Sequence, residues 1–160
     1  MAEMTDLREF MRHVPQPVTV VTTFHEGQPH GMTVSSFTSV SLEPPTVLIA
    51  LEKTTKTCVN VLKSGRFCVN LLSEKQGWVS DVFAYSPHEE RFSRVKYELE
   101  DGFPVLKDVL GVLFCEVSGH VDCSTHLIIL GQVKRVRMFS EELPLIYHMR
   151  RYGRPASPTV

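Results

Sequence analysis

A chain of 160 residues can hold one domain with a buried core but is short for two. Its 42% hydrophobic and 22% charged residues are the composition of a soluble globular protein. A formal net charge of −1 with no Lys/Arg stripe argues against nucleic acid and against a membrane surface as partners.

Leu7, Phe10, Met11 and Val14 recur at helical spacing, so residues 5–13 read as a short amphipathic helix that Pro15 and Pro17 stop. Val18–Phe24 is rich in Val and Thr and reads as a strand. The turn signal Glu26-Gly27-Gln28 joins it to a second strand, His30–Val40, in a hairpin. Thr46–Leu51 is a continuous apolar run, the pattern of a strand buried on both faces. Thr57–Lys63 has helical spacing with Gly65 as its stop, and Arg66–Leu72 is again a strand. Ser73-Glu74-Lys75-Gln76 matches a capping box and predicts a helix to about Tyr85. Residues 86–104 lack periodicity and read as a long loop. Two long strands, Val112–Val121 and Leu127–Phe139, follow. Glu141–Arg151, acidic at its start and basic at its end, reads as a closing helix. Hairpin-like succession without β-α-β alternation points to a mainly β fold, a closed or partly closed antiparallel barrel with flanking helices.

Common catalytic signatures are missing. The chain has no G-x-G-x-x-G, Walker A, G-x-S-x-G or H-E-x-x-H motif. Its seven histidines are scattered, and no metal site is expected. The four cysteines, Cys58, Cys68, Cys115 and Cys123, form no C-x-x-C pair and read as free thiols of a reducing compartment. With neither a signal peptide nor an apolar run near the ~20 residues of a membrane span, the expected location is the cytoplasm. An enzyme of this kind can still work if a cofactor carries the chemistry.

Four segments could hold one. In Gly31–Leu42, hydroxyls at 33, 35, 36, 38, 39 and 41 suit a polar planar heterocycle, or equally a Ser/Thr-rich edge strand. Glu52–Thr57 precedes a helix and reads as a phosphate site or as a capped, solvated helix start. Residues 83–94 carry Phe83, Tyr85, Arg91, Phe92 and Arg94, which fit a phosphate and a flat ring or an ordinary surface loop. His126 opens an apolar strand, either as a functional group or as a structural histidine.

In order and spacing, these segments resemble the flavin reductase family, the small partner of two-component flavin monooxygenases, over about residues 5–152. The most specific run, Gly31-Met32-Thr33-Val34-Ser35-Ser36-Phe37-Thr38-Ser39-Val40-Ser41-Leu42-Glu43-Pro44-Pro45, is similar to the family's G-M-T-x-S-S-F-x-S-V-S-x-x-P-P signature. The match continues through Lys53–Thr57, Gly65–Leu72 and Arg91-Phe92, and closes at Pro144–Tyr152. The resemblance implies a single domain over 1–160 with an FMN-binding split β-barrel of Greek-key type, and a homodimer with the flavin near the subunit interface. It implies flavin contacts for Thr33, Val34, Ser35, Ser36, Ser39, Val40 and Ser41, and phosphate contacts for Lys56 and Thr57 with Lys53 and Thr55 beside them. Phe83, Ala84, Arg91 and Phe92 match positions near the flavin, and His126 matches the histidine of a G-D-H motif associated with the nicotinamide nucleotide. Here Ser124-Thr125 stands in place of that Gly-Asp.

The implied activity is hydride transfer from NADH or NADPH to FMN or FAD, with the reduced flavin passed to a monooxygenase. Three rivals stay open: a flavin-binding module without NAD(P)H turnover, an oxidase of the pyridoxamine-phosphate type on the same barrel, and an interaction protein without cofactor.

Overall fold

The computed structural model describes residues 4–157, so the ends of the expected 1–160 domain lie outside the described residues. Helix α1 (Met4–Arg12) and a short strand β1 (Gln16–Pro17) lead into β2 (Thr19–His25), β3 (Gln28–Val34), β4 (Phe37–Leu42) and β5 (Pro45–Glu52). Then come α2 (Lys56–Ser64), β6 (Arg66–Leu71) and α3 (Gly77–Tyr85). A 3-10 turn (His88–Glu90), α4 (Arg91–Arg94) and a hairpin of β7 (Tyr97–Glu100) and β8 (Phe103–Leu106) follow. The long strands β9 (Gly111–Cys123) and β10 (His126–Met138) precede a last hairpin, β11 (Ile146–His148) and β12 (Arg151–Gly153).

Seven strands form one antiparallel sheet in the order β3-β2-β6-β9-β10-β5-β4. Its two edge strands, β3 and β4, are consecutive in the chain, and only Ser35 and Ser36 link them. Such a link reaches about 10 Å, so the edges must meet at one end. The twisted sheet therefore curls into a barrel that stays unzipped along the β3–β4 seam.

Two buried clusters hold this sheet. Val21, Val34, Val47, Ile49, Leu51, Phe67, Val69, Leu127 and Ile129 fill the inside, with Cys58 and Val61 of α2 against them. Val18, Val20, Cys68, Val112 and Phe114 cover the other face, under Val79 and Phe83 of α3 and Phe103 and Val105 of β8. Each such side chain contributes roughly 1.5–3 kcal/mol on burial. Buried Asn70 ties the layers together: its amide donates to the Val20 carbonyl (3.0 Å) and its Oδ1 accepts from Leu106 N–H (3.0 Å). All four cysteines are free, and only Cys123 is exposed.

The structure departs from the sequence reading in five places. The strand expected over His30–Val40 is two, broken at the Ser35-Ser36 seam. β5 is buried on one face only, with Val47, Ile49 and Leu51 inward, whereas β2 and β6 are strands of this sheet buried on both. The helix expected from Ser73 starts at Gly77: Ser73 N–H does donate to the Gln76 side chain (3.0 Å), but Gln76 N–H closes a turn on the Ser73 carbonyl (2.9 Å), and Gln76 itself is the cap residue. The expected loop 86–104 contains a 3-10 turn, α4 and the β7–β8 hairpin. The expected helix Glu141–Arg151 is instead the β11–β12 hairpin: Pro144 cannot donate within a helix, and Met149 and Arg150 both take positive φ (51° and 63°), as a two-residue hairpin turn requires.

Candidate flavin site

The expected contact residues fall in two groups on either side of the seam. On the β3 side, Thr33 Oγ1 donates to the Ser80 carbonyl of α3 at 2.7 Å. Gly31 lets α3 and α4 approach closely, since a Cβ there would lie 3.0 Å from both Phe83 and Phe92. The Arg91 guanidinium donates to the Gly31 carbonyl (2.7 Å) and the Ser86 carbonyl (3.1 Å), which fixes the 86–94 segment against β3. Phe83 meets Phe92 edge-on at 5.1 Å. Val34 and Phe83 are themselves core, so their side chains are spent on packing, while Ala84 is exposed.

On the β4 side, Ser36 Oγ donates to the Ala50 carbonyl of β5 at 2.7 Å. Ser39, Val40 and Ser41 are exposed. The register shifts between Ser39 and Ser41, so Val40 is a bulge residue. A bulge re-aims neighbouring side chains, here on the sheet's edge strand.

Helix α2 opens directly after β5. Thr55 caps it: its Oγ1 accepts from Cys58 N–H at 3.2 Å. The N–H groups of Lys56 and Thr57 lie in the first turn and have no helical acceptor. Thr57 is fully buried, yet its Oγ1 has no hydrogen-bond partner, the one such buried side-chain atom among the described residues. Free N–H groups, an unpartnered hydroxyl and the Lys56 ammonium together fit a phosphate. Lys56 now pairs with Glu89 of the 3-10 turn.

The two lysines diverge. Lys53 turns the other way: its N–H donates to the Thr125 carbonyl (3.0 Å), and its ammonium pairs with Asp122 at the tip of the β9–β10 hairpin. His126 stands at that tip, exposed, opposite Glu52 of β5 and Cys123 of β9. The structure therefore brings Lys53 to His126 rather than to Lys56. The Thr125 hydroxyl lies 2.9 Å from His126 Nδ1 and can orient the ring as an acid would. Ser124 takes φ +58°, a conformation that glycine adopts without strain.

Asp122, Ser80, Glu89 and the pair His30 and His88 were not expected at the site. Nothing local marks them, since each gains its place through a partner distant in the chain.

A family model for a flavin reductase like domain matches residues 11–156. A flavin reductase (NADPH) of Lentzea aerocolonigenes is 38% identical over 152 residues, 92% of this chain and 88% of that protein. A probable flavin reductase of Rhizobium meliloti is 42% identical over 118 residues; these cover 72% of this chain but 38% of that longer protein. The reductase component of a 4-nitrophenol 4-monooxygenase/4-nitrocatechol 2-monooxygenase of Rhodococcus opacus is 30% identical over 151 residues, 94% of this chain and 80% of that one. Among solved structures, the NADH:FAD oxidoreductase of Streptomyces globisporus C-1027, in complex with NAD and FAD fragments, superposes with a TM-score of 0.91 at 29% identity, covering 99% of this chain and 96% of that one.

Proposed function

The chain belongs to the flavin reductase like domain family, and from that premise we propose that it reduces FMN or FAD with NADH or NADPH and supplies the reduced flavin to a monooxygenase. The observation that carries this reading is the seam: a hydroxyl-rich strand junction beside a helix start whose Thr57 hydroxyl and first N–H groups lack partners.

Thr33, Val34, Ser35 and Ser36 would line the ring edge, Val34 through its backbone, and Ser39, Val40 and Ser41 would lie along the exposed face of β4. Thr57, Lys56 and Thr55 would hold the phosphate. Arg91, Phe83, Ala84 and Phe92 would shape the wall behind β3. A bound flavin would supply the redox chemistry, as acceptor of a hydride from the dihydronicotinamide. The protein's share is to hold both rings in contact and to keep a positive group near the ring that gains negative charge. Lys53 and Arg91 are the candidates for that charge. No general base is needed, in keeping with the lack of an acid-base pair in the seam. His126, at the β9–β10 tip, would contact the nicotinamide nucleotide. His126→Ala should then raise KM for the nucleotide about tenfold, with flavin affinity changed less; a larger loss of flavin affinity would remove His126 from that role.

The proposal includes a cytoplasmic homodimer with the flavin near the interface. Edge strand β4 presents Val40 and Leu42, 53% and 83% exposed, and an apolar exposed edge invites a second chain. The function is tested by mixing the protein with FMN or FAD, adding NADH or NADPH, and following loss of the reduced nucleotide in air. Flavin-dependent multiple turnovers are expected; flavin binding without consumption of either nucleotide would instead make the chain a passive flavin carrier.

A further inference from the structure

One pair of side chains, His30 and His88, has no part in the assignments above. It lies where β3, the 3-10 turn and the start of α2 meet. His30 Nδ1 and His88 Nε2 are 2.9 Å apart, and the two rings stack with centroids at 5.1 Å. Lys56 and His25 face His30, while Lys56, Arg91 and Glu89 face His88. His25 is itself 3.5 Å from the Glu26 carboxylate. Three basic groups, Lys56, Arg91 and His25, thus surround the two imidazoles, with Glu89 as the carboxylate among them and Glu26 at the margin. Burial, together with these neighbours, holds both imidazoles below their ordinary pKa, His30 down to about 4. The pair is therefore neutral at pH 7 and is bordered by the Lys56 ammonium and the Arg91 guanidinium.

The cluster shares Lys56 with the phosphate site at α2. Glu89, the present partner of Lys56, is well exposed, as is the lysine. An exposed ion pair is weak and yields to a doubly charged competitor.

We propose that His30 and His88 form a second-phosphate subsite beside Lys56, so that the chain prefers a flavin dinucleotide, whose diphosphate reaches both, to the mononucleotide, whose single phosphate ends at α2. This rests on the flavin reading above. On binding, the diphosphate takes Lys56 from Glu89 and accepts from the imidazoles. An anion there favours the protonated imidazole, so the dinucleotide brings a proton onto the pair.

The test is calorimetric titration of the full chain with FMN and FAD near pH 7, in two buffers of different ionisation enthalpy, repeated with NAD+ and NADP+. Near that pH most of the FMN phosphate is already fully ionised, so it contributes little proton exchange. FAD should bind about tenfold more tightly than FMN and take up roughly half a proton, a tenfold ratio being ordinary for one added charge-assisted contact. His30→Gln with His88→Gln should bring the ratio close to one and abolish the uptake, with FMN binding reporting that the variant is folded. Single His88→Gln, the milder change, should lose most of the uptake. An unchanged ratio and uptake in these variants would overturn the subsite while leaving the flavin reading intact. Proton uptake with NADP+ and not with FAD would overturn it too, giving the pair to the nicotinamide nucleotide. Failure of both flavins to bind would sink the flavin reading itself, and the subsite with it.

Discussion

Thr57 is fully buried with its hydroxyl unpaired, a state that costs a folded protein about 1–3 kcal/mol. The cost is accounted for if the hydroxyl is kept for a ligand. Thr57→Val, nearly equal in shape, should raise the stability of the flavin-free protein by about 1 kcal/mol and weaken flavin binding. Thermal melts and a flavin titration check both signs; a destabilised variant with full affinity would mean the residue serves packing alone. His30 gives a second prediction at this scale. Its folded pKa of about 4 lies below the ~6.5 of an unfolded histidine. Between those values the unfolded chain binds a proton that the folded chain refuses, so stability falls as pH drops through the window. His88, lowered in the same direction by burial and then Arg91, adds to the same slope. Melting temperatures should fall less steeply on acidification in His30→Gln than in the parent; parallel curves would refute the linkage.

The β9–β10 turn and the last hairpin show what a single sequence reveals of an element and what it conceals. Both long strands were legible from their apolar runs, and the seam hydroxyls from their density between 33 and 41. The β11–β12 hairpin was concealed, because its turn uses Met149 and Arg150 at positive φ instead of Asn or Gly, while the charge pattern of 141–151 imitates a helix. Its place is set by distant contacts on α3: Tyr152 Oη donates to Asp81 Oδ1 (2.6 Å) and accepts from the Ser80 hydroxyl (2.8 Å). The β7–β8 hairpin was hidden for a similar reason, since Asn70 and Arg66 of β6 fasten it from far along the chain. At the β9–β10 tip, Ser124 pays for a left-handed backbone that glycine tolerates. Ser124→Gly should therefore stabilise the protein by about 0.5–1 kcal/mol, a gain set by strain relief against the added freedom of the unfolded chain. A melting temperature unchanged or lowered would show that the tip holds this conformation without strain.

At the scale of the molecule, the open seam decides the rest. The sheet order leaves β3 and β4 as neighbouring edges, and β4 faces outward with Val40 and Leu42 exposed. If a second copy covers that edge, Leu42→Glu should place a charge in the interface, shift the protein to monomer and weaken flavin binding together with it. Sedimentation at several concentrations checks the first effect and a flavin titration the second. A dimer that persists would place the interface elsewhere. The barrel class was readable from strand succession, but the seam itself was not, since nothing in Ser35-Ser36 announces a break until the two edges are seen to meet there. The central claim is that a flavin held at this seam is reduced by a nicotinamide nucleotide on the same protein. The most direct measurement is to mix the protein–flavin complex with NADH or NADPH without oxygen and follow the flavin absorbance. The account predicts that the oxidised flavin band bleaches with at least one nucleotide, faster than for free flavin at the same concentrations. A bound flavin that stays oxidised with both nucleotides would contradict it.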